Sequence, residues 1–204
     1  MNFVVSSSTL LKHLKAVGGV LNTNNTIPIL DCFLFEVANG ELTISASDME
    51  TTITTALKVE ATQGGSIAIP AKTLQDALAN LPEQPISFII DNKKFSAKLK
   101  TETGDYTLTG HNGEEYPKMP KLDSQSSIVI KSDILGSAIN KTIFATGNDD
   151  LRPVMSGVFC QFTETNTIFV ATDAHKLVRY IRNDAKAGAS TSFIMPKKPL
   201  NVLK

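Results

Sequence analysis

Apolar positions along the 204-residue chain change their spacing repeatedly, and each change marks an element. Residues 2–5 alternate as a short strand does. The Ser/Thr cluster at 6–9 then offers a helix N-cap. Leu10, Leu14, Val17 and Leu21 follow on one helical face, with Lys12 and Lys15 opposite. Residues 29–37 are a mostly apolar run, Asn39-Gly40 is a hairpin turn signal, and residues 42–47 resume the alternation of a half-buried strand. The β-branched stretch 51–59 predicts another strand. A Gly64-Gly65 break leads into a strand over 66–69. Pro70 suits the entry of a second helix, whose core side is Leu74, Leu78 and Leu81 and whose stop is Pro82. Residues 86–90 and 94–100 pair as a hairpin around Asp91-Asn92, and 106–109 add one more strand. The polar stretch 110–127, with Pro117 and Pro120, reads as a linker.

After that stretch the pattern restarts. Residues 129–130 predict a strand and Ser132-Asp133 a cap. Leu135, Ala138, Ile139 and Ile143 give an apolar helical face, the run 154–162 and a turn at 164–166 follow, and 168–171 predict a further strand. Pro28 and Pro153 stand 125 residues apart, and so do Asp48 and Asp173. At the same offset Val5 meets Ile130, Ser7 meets Ser132 and Leu10 meets Leu135; Ile69-Pro70 meet Met195-Pro196 at 126, and Lys72 and Leu74 then meet Lys198 and Leu200. Element type and turn position agree although identities are few, so the chain carries an internal repeat. Two α+β domains are expected, 1–124 and 125–204. The first unit runs on well past Pro70, whereas the second stops eight residues after Pro196. The second is therefore expected to be incomplete, because a unit missing half its strands leaves sheet edges open, and Lys204 is not expected to be the natural end.

Composition narrows the function classes. Twenty Lys+Arg balance twenty Asp+Glu, which argues against a polycation coating nucleic acid yet leaves the distribution of charge between faces open. Cys32 and Cys160 stand alone among apolar neighbours, without CxxC or clustered His, so they read as small buried hydrophobes in a reducing cytoplasm. Neither a disulfide framework nor a zinc site is expected. No apolar run reaches the roughly 18 residues of a membrane span, and the N-terminus lacks the pattern of a signal peptide.

The opening strand and helix, the TIPIL at 26–30, Ser47-Asp48, and the pair LRPVMSGVF and ATDAHKLVRY together resemble the bacterial DNA polymerase III β subunit family, the sliding clamps. The most recognisable piece is Thr172-Asp173-Ala174-His175-Lys176-Leu177 after an apolar strand, in register with the repeat. The resemblance covers the first domain and most of the second of a family with three such domains per chain. It implies repeated clamp domains with helices on one side, as an inner face, and antiparallel sheets on the other. It further implies a head-to-tail homodimer that closes a ring around double-stranded DNA. As a replication processivity factor, such a ring tethers the DNA polymerase III catalytic subunit. Its other partners are the clamp loader, repair polymerases and proteins with short hydrophobic clamp-binding motifs.

The polar faces of the helices carry Lys12, Lys15, Lys72, Lys141, Lys197 and Lys198, which suit DNA contact. The family's further DNA-contact positions, carried onto this sequence, are Asn24, Asp149, Pro153 and Val154. Positive charge inside a hole attracts phosphates without reading bases. Asp149 departs from the basic or aromatic residues often found at its position. The wall of the peptide cleft falls on Arg152, Met155, Thr172, Ala174, His175, Lys176 and Leu177. Ala174 replaces the usual Gly, and Lys176 replaces the usual Arg, which loses the fork-shaped donor set. Tyr106 and Leu108 are expected near the dimer joint. No cofactor, metal or catalytic group is expected. Asp173 and His175 could suggest acid–base chemistry, but no nucleophile motif or Gly-rich phosphate loop accompanies them, and a duplicated Asp after a strand is more simply a turn-former. The alternative reading is an α+β interaction adaptor that never encircles DNA.

Overall fold

The fold is that of a computed structural model describing residues 1–22, 25–118, 127–149 and 151–204. The chain divides into two compact units, Met1–Pro120 and Lys121–Lys204. The expected boundary between residues 124 and 125 lies outside the described residues, as does Asn24.

Unit 1 begins with β1 (Asn2–Ser6) and α1 (Ser7–Gly18). Ser6 caps the helix by accepting a hydrogen bond from the Thr9 N–H, which satisfies one of the orphan donors of the first turn. Leu10, Leu14 and Val17 are buried on one face, while Leu21 follows the helix end and is half-buried. A 3-10 turn (Pro28–Asp31) precedes β2 (Cys32–Ala38), so residues 29–31 are not strand as the apolar run suggested: Pro28 fixes a helical φ at the turn's first position. Then come β3 (Glu41–Ser47), β4 (Thr52–Lys58), β5 (Glu60–Gln63) and β6 (Gly65–Pro70). Asn39 and Gly40 both take positive φ, 51° and 77°, as the two-residue β2–β3 hairpin requires. α2 (Ala71–Ala79) buries Leu74 and Leu78, leaving Leu81 beyond its end. β7 (Pro85–Asp91), β8 (Ser96–Thr101), β9 (Gly104–Thr109) and β10 (His111–Asn112) complete the unit.

Two antiparallel five-stranded sheets result, ordered β5-β1-β7-β8-β9 and β10-β6-β2-β3-β4. Phe3 and Phe88 of the first sheet stack with centroids 4.7 Å apart, and Phe35 of the second lies 6.1 Å from Phe88. The two sheets and the buried faces of α1 and α2 share this one core. The stretch from residue 110 is not the linker its composition suggested. β10 pairs with β6, a 3-10 turn spans Gly113–Glu115, and Tyr116 is buried. The Tyr116 hydroxyl accepts from the Ser47 N–H at 3.0 Å and donates to the Cys32 carbonyl at 3.3 Å, and burial pushes its phenol up to about 12.

Unit 2 repeats the plan. It contains α3 (Ser132–Thr142), a 3-10 turn (Pro153–Met155), β11 (Gly157–Phe162), β12 (Thr167–Thr172), β13 (Leu177–Arg182), β14 (Thr191–Pro196) and α4 (Lys197–Val202). Its antiparallel sheet runs β13-β12-β11-β14. The 3-10 turns fall 125 residues apart, so the run 154–162 divides as its counterpart does. Residues 129–130 form no strand. In unit 1 the equivalent β1 is held by β5 and β7, and no described segment pairs with 129–130. Ile134 is buried in place of Leu135, which is half-buried. Cys32 and Cys160 are both free and buried, and burial raises each thiol to about 11. Among the described residues no helix is long and apolar enough to cross a membrane.

Candidate nucleic-acid and peptide-binding surfaces

Two kinds of surface carry the predicted residues: helix faces with lysines, and the turn after β12. On α1 the spacing that buries Leu10, Leu14 and Val17 turns Lys12 and Lys15 outward, and α1 contains no acidic residue. α2 packs beside it, with the Gln75 side-chain amide donating to the Leu14 carbonyl at 3.1 Å, and Lys72 is exposed in its first turn. In unit 2, Lys141 is exposed on α3, and Lys197 and Lys198 are half-buried at the start of α4. Lys197 Nζ donates to Asn148 Oδ1 at 2.8 Å, which ties α4 to the segment before β11.

That segment is built around Asp149. Its carboxylate accepts from Arg152 Nε at 2.7 Å and from the Leu151 N–H at 2.9 Å, and these donors, the guanidinium first, hold its pKa below the usual carboxylate range. Asp149, assigned to the DNA surface, and Arg152, assigned to the peptide wall, therefore form one ion pair. The departure at Asp149 is thus compensated locally: its charge is spent on Arg152. Pro153 and Val154 are exposed on the 3-10 turn, and Leu151 is 92% exposed. The i,i+3 spacing of Asp149 and Arg152 is the signal by which sequence reasoning could have found the pair; the contact of Lys197 with Asn148 has no such signal.

The turn after β12 is a closed hydrogen-bonded unit. Asp173 accepts at one carboxylate oxygen from the N–H groups of His175 (3.0 Å) and Lys176 (2.9 Å), and at the other from the Lys176 ammonium. These donors, Lys176 first, hold the Asp173 pKa well below the ordinary range. The Thr172 hydroxyl donates to the Lys176 carbonyl at 2.8 Å and accepts from the Ala174 N–H at 3.2 Å. Ala174 takes φ 74°, a region that favours glycine. Unit 1 builds the same turn 125 residues earlier: Asp48 accepts from the N–H groups of Glu50 and Thr51, and Met49 takes φ 79°. Asp173 is thus a turn-former, its carboxylate held by backbone N–H groups and Lys176.

Ala174, His175, Lys176 and Leu177 are all exposed, Leu177 by 66% despite its apolar side chain. Met155 is half-buried and comes to the same place. Its carbonyl accepts from the Gly147 N–H at 2.8 Å, and a Cβ on Gly147 would sit 3.7 Å from the Met155 side chain and 3.8 Å from Asp173 Cα. Met155 thus lies near the turn at Asp173, which also carries Thr172, His175, Lys176 and the exposed Leu177. In unit 1, Tyr106 is exposed on β9, an edge strand of its sheet, while Leu108 is buried in the unit's own core.

The relatives of this chain agree with the repeat. Residues 1–120 match the family model of the DNA polymerase III beta subunit, N-terminal domain, and residues 129–204 match its central domain. The chain is 28% identical over 215 residues to the Beta sliding clamp of Halalkalibacterium halodurans, covering all of this chain and 56% of that protein. It is 24% identical over 212 residues to the Beta sliding clamp of Bacillus subtilis, again covering all of this chain and 56% of the relative. Among solved structures, a putative DNA polymerase III beta subunit from Eubacterium rectale superposes with a TM-score of 0.94 at 25% identity, over 100% of this chain and 55% of that one. The Bacillus subtilis sliding clamp superposes with a TM-score of 0.93 at 24% identity, over 100% and 56%. The chain spans about half the length of the curated relatives it matches. Its two units are the N-terminal and central domains of that design, and the chain belongs to the DNA polymerase III beta subunit family.

Proposed function

We propose that the protein carrying this chain is a replication processivity factor: a homodimeric ring that encircles duplex DNA in the cytoplasm and tethers a polymerase. It catalyses no reaction itself. The observation that carries the reading is the repeat of one domain plan in both units, each with lysines on helices packed against antiparallel sheet. In a ring those helices line the hole. Lys12, Lys15, Lys72, Lys141, Lys197 and Lys198 then meet phosphates through weak, sequence-blind contacts, which hold the duplex centred without stopping translation along it. Topology supplies the retention that affinity does not.

The turn at 172–177, with Met155 and Arg152, forms one wall of a slot for short hydrophobic peptides from the catalytic subunit, the clamp loader and repair polymerases. Leu177 and Met155 supply apolar area, and His175 and Thr172 supply polar fixtures that orient the peptide. The open edge of β9, with Tyr106 exposed on it and Leu108 supporting it from the core, is the dimer joint.

The test uses the complete natural polypeptide. It is loaded onto a nicked circular plasmid by a clamp loader, free protein is removed, and the plasmid is cut once. Release on linearisation is expected. Retention unchanged by cutting would mean ordinary contact binding and would favour the adaptor reading.

A further inference from the structure

Tyr180 sits in a polar cluster of which the clamp reading uses Lys141 alone. It lies on β13 opposite Phe169 of β12, with α3 packed against the strand. Lys141 Nζ stands 4.8 Å from its ring centroid. At the phenol oxygen, Arg182 Nη1 donates at 3.2 Å and Ser137 Oγ lies at 3.4 Å. Arg182 is itself fixed by Asp184, Nε to Oδ1 at 2.7 Å and Nη2 to Oδ2 at 2.6 Å, and Lys131 adds positive charge near Asp184. The equivalent place in unit 1 holds Thr55, hydrogen-bonded to His13 at 2.7 Å, so the fold does not require a phenol here.

We propose that Tyr180 is a covalent modification site, whose phenol oxygen takes an acyl group from an anionic activated donor of the acyl phosphate class. Lys141 and Arg182 draw the anionic donor in and neutralise its departing phosphate. The phenol proton leaves to solvent and the oxygen attacks the carbonyl carbon. The bond from that carbon to the phosphate oxygen breaks, and inorganic phosphate departs with the electron pair. An aryl ester remains on Tyr180, and nothing is oxidised or reduced.

The chain's other two tyrosines are internal controls. Tyr116 is buried with both hydrogen bonds satisfied, and Tyr106 is exposed on its strand. The Ser137 and Arg182 hydrogen bonds lower the Tyr180 phenol to about 8. At pH 8 it is then about half ionised, against about 1% for an ordinary phenol near 10. Lower basicity weakens the nucleophile; with a sensitivity of about 0.4–0.5, as for thiolates, a net advantage of about five- to tenfold remains.

The 204-residue chain is incubated with acetyl phosphate, and each site's acetylation rate is followed by peptide mass spectrometry. Tyr180 is expected to acetylate about five- to tenfold faster than Tyr106, in an adduct that neutral hydroxylamine removes, as it does aryl esters but not amides. Its rate should level off above about pH 8, where its phenol is already largely ionised. Lys141→Met and Arg182→Gln should each lower the Tyr180 rate toward that of Tyr106. Equal rates for the two tyrosines, or acetylation confined to hydroxylamine-resistant adducts on Lys141 and other lysines, would overturn the proposal. The pH profile of the unaltered chain decides the matter even if a variant fails to fold.

Discussion

The two units follow one plan and differ in what they bury. In unit 1, Ile67 and Ala68 of β6 are fully buried, with β10 paired along the strand. Their counterparts on β14, Phe193 and Ile194, are 40% and 41% exposed. Val129, at the place of Val4 on β1, is 93% exposed. Unit 1 closes its core between two sheets, whereas the described part of unit 2 has one sheet and two helices over a smaller core. The 3-10 turn and the aspartate turn are nonetheless the same in both. The cap expected at Ser132-Asp133 is not made: α3 follows Lys131 without a side-chain cap, while Ser6 caps α1. Turns and helix faces are thus encoded within some twenty neighbouring residues, about the scale of one supersecondary motif. Burial depends on strands that return from far along the chain.

The sharpest way to break this comparison is to truncate one aromatic in each unit. Phe88→Ala, in the fully buried stack with Phe3, should cost about 3–5 kcal/mol in denaturant unfolding of unit 1. Phe193→Ala should cost about 1–2 kcal/mol in unit 2, because its ring, stacked on Phe162, is already partly solvated. Equal losses would mean that the outer face of β14 is covered in solution.

A finer comparison exchanges residues at one equivalent position. Cys32 opposes Pro70 and Gly157 opposes Pro196, each at the first step of a strand pair. A Cβ on Gly157 would lie 2.6 Å from the Met195 carbonyl oxygen, closer than real contacts allow. Gly157→Cys should therefore strain unit 2 by about 1–3 kcal/mol, while Cys32→Gly should cost unit 1 about 1–2 kcal/mol through lost packing and added chain entropy. A neutral Gly157→Cys in a thermal melt would show that β14 can retreat.

The smallest expected effect concerns acid. The folded Asp173 carboxyl titrates below its unfolded value of about 3.9, so its contribution is complete above that pH and is lost as pH falls through the folded pKa. Between pH 5 and 8 the wild type and Asp173→Asn should differ by a constant amount, and the gap should narrow below about pH 4. A gap unchanged down to pH 2 would remove the carboxylate's charge from the account of this turn.

Much of the fold was legible because its signals are local. Asn39-Gly40 announced a positive-φ hairpin, and the duplicated aspartates announced the two turns. The second-unit helix was placed to within a residue or two by its apolar spacing. Residues 129–130 have the composition of a strand and are not one, because a strand exists only with a partner to take its hydrogen bonds. Tyr116 hid within a stretch read as a linker. Its burial depends on the Ser47 N–H and the Cys32 carbonyl, far away in sequence. On the candidate surfaces, the motif around His175 was legible as a run, and the i,i+3 spacing of Asp149 and Arg152 signals their pairing. The contact of Lys197 with Asn148 and the burial of Leu108, by contrast, needed the chain to be folded.

Each unit contains one cysteine, and both thiols are held near 11, where only about one in ten thousand is thiolate at neutral pH. An alkylating reagent therefore meets almost no reactive sulfur until a unit opens. Cys32 then reports the opening of unit 1 and Cys160 that of unit 2, on the same molecule and in the same tube. The chain thus carries two built-in stopwatches, and trapping rates resolved by peptide give the opening frequency of each half without any added label.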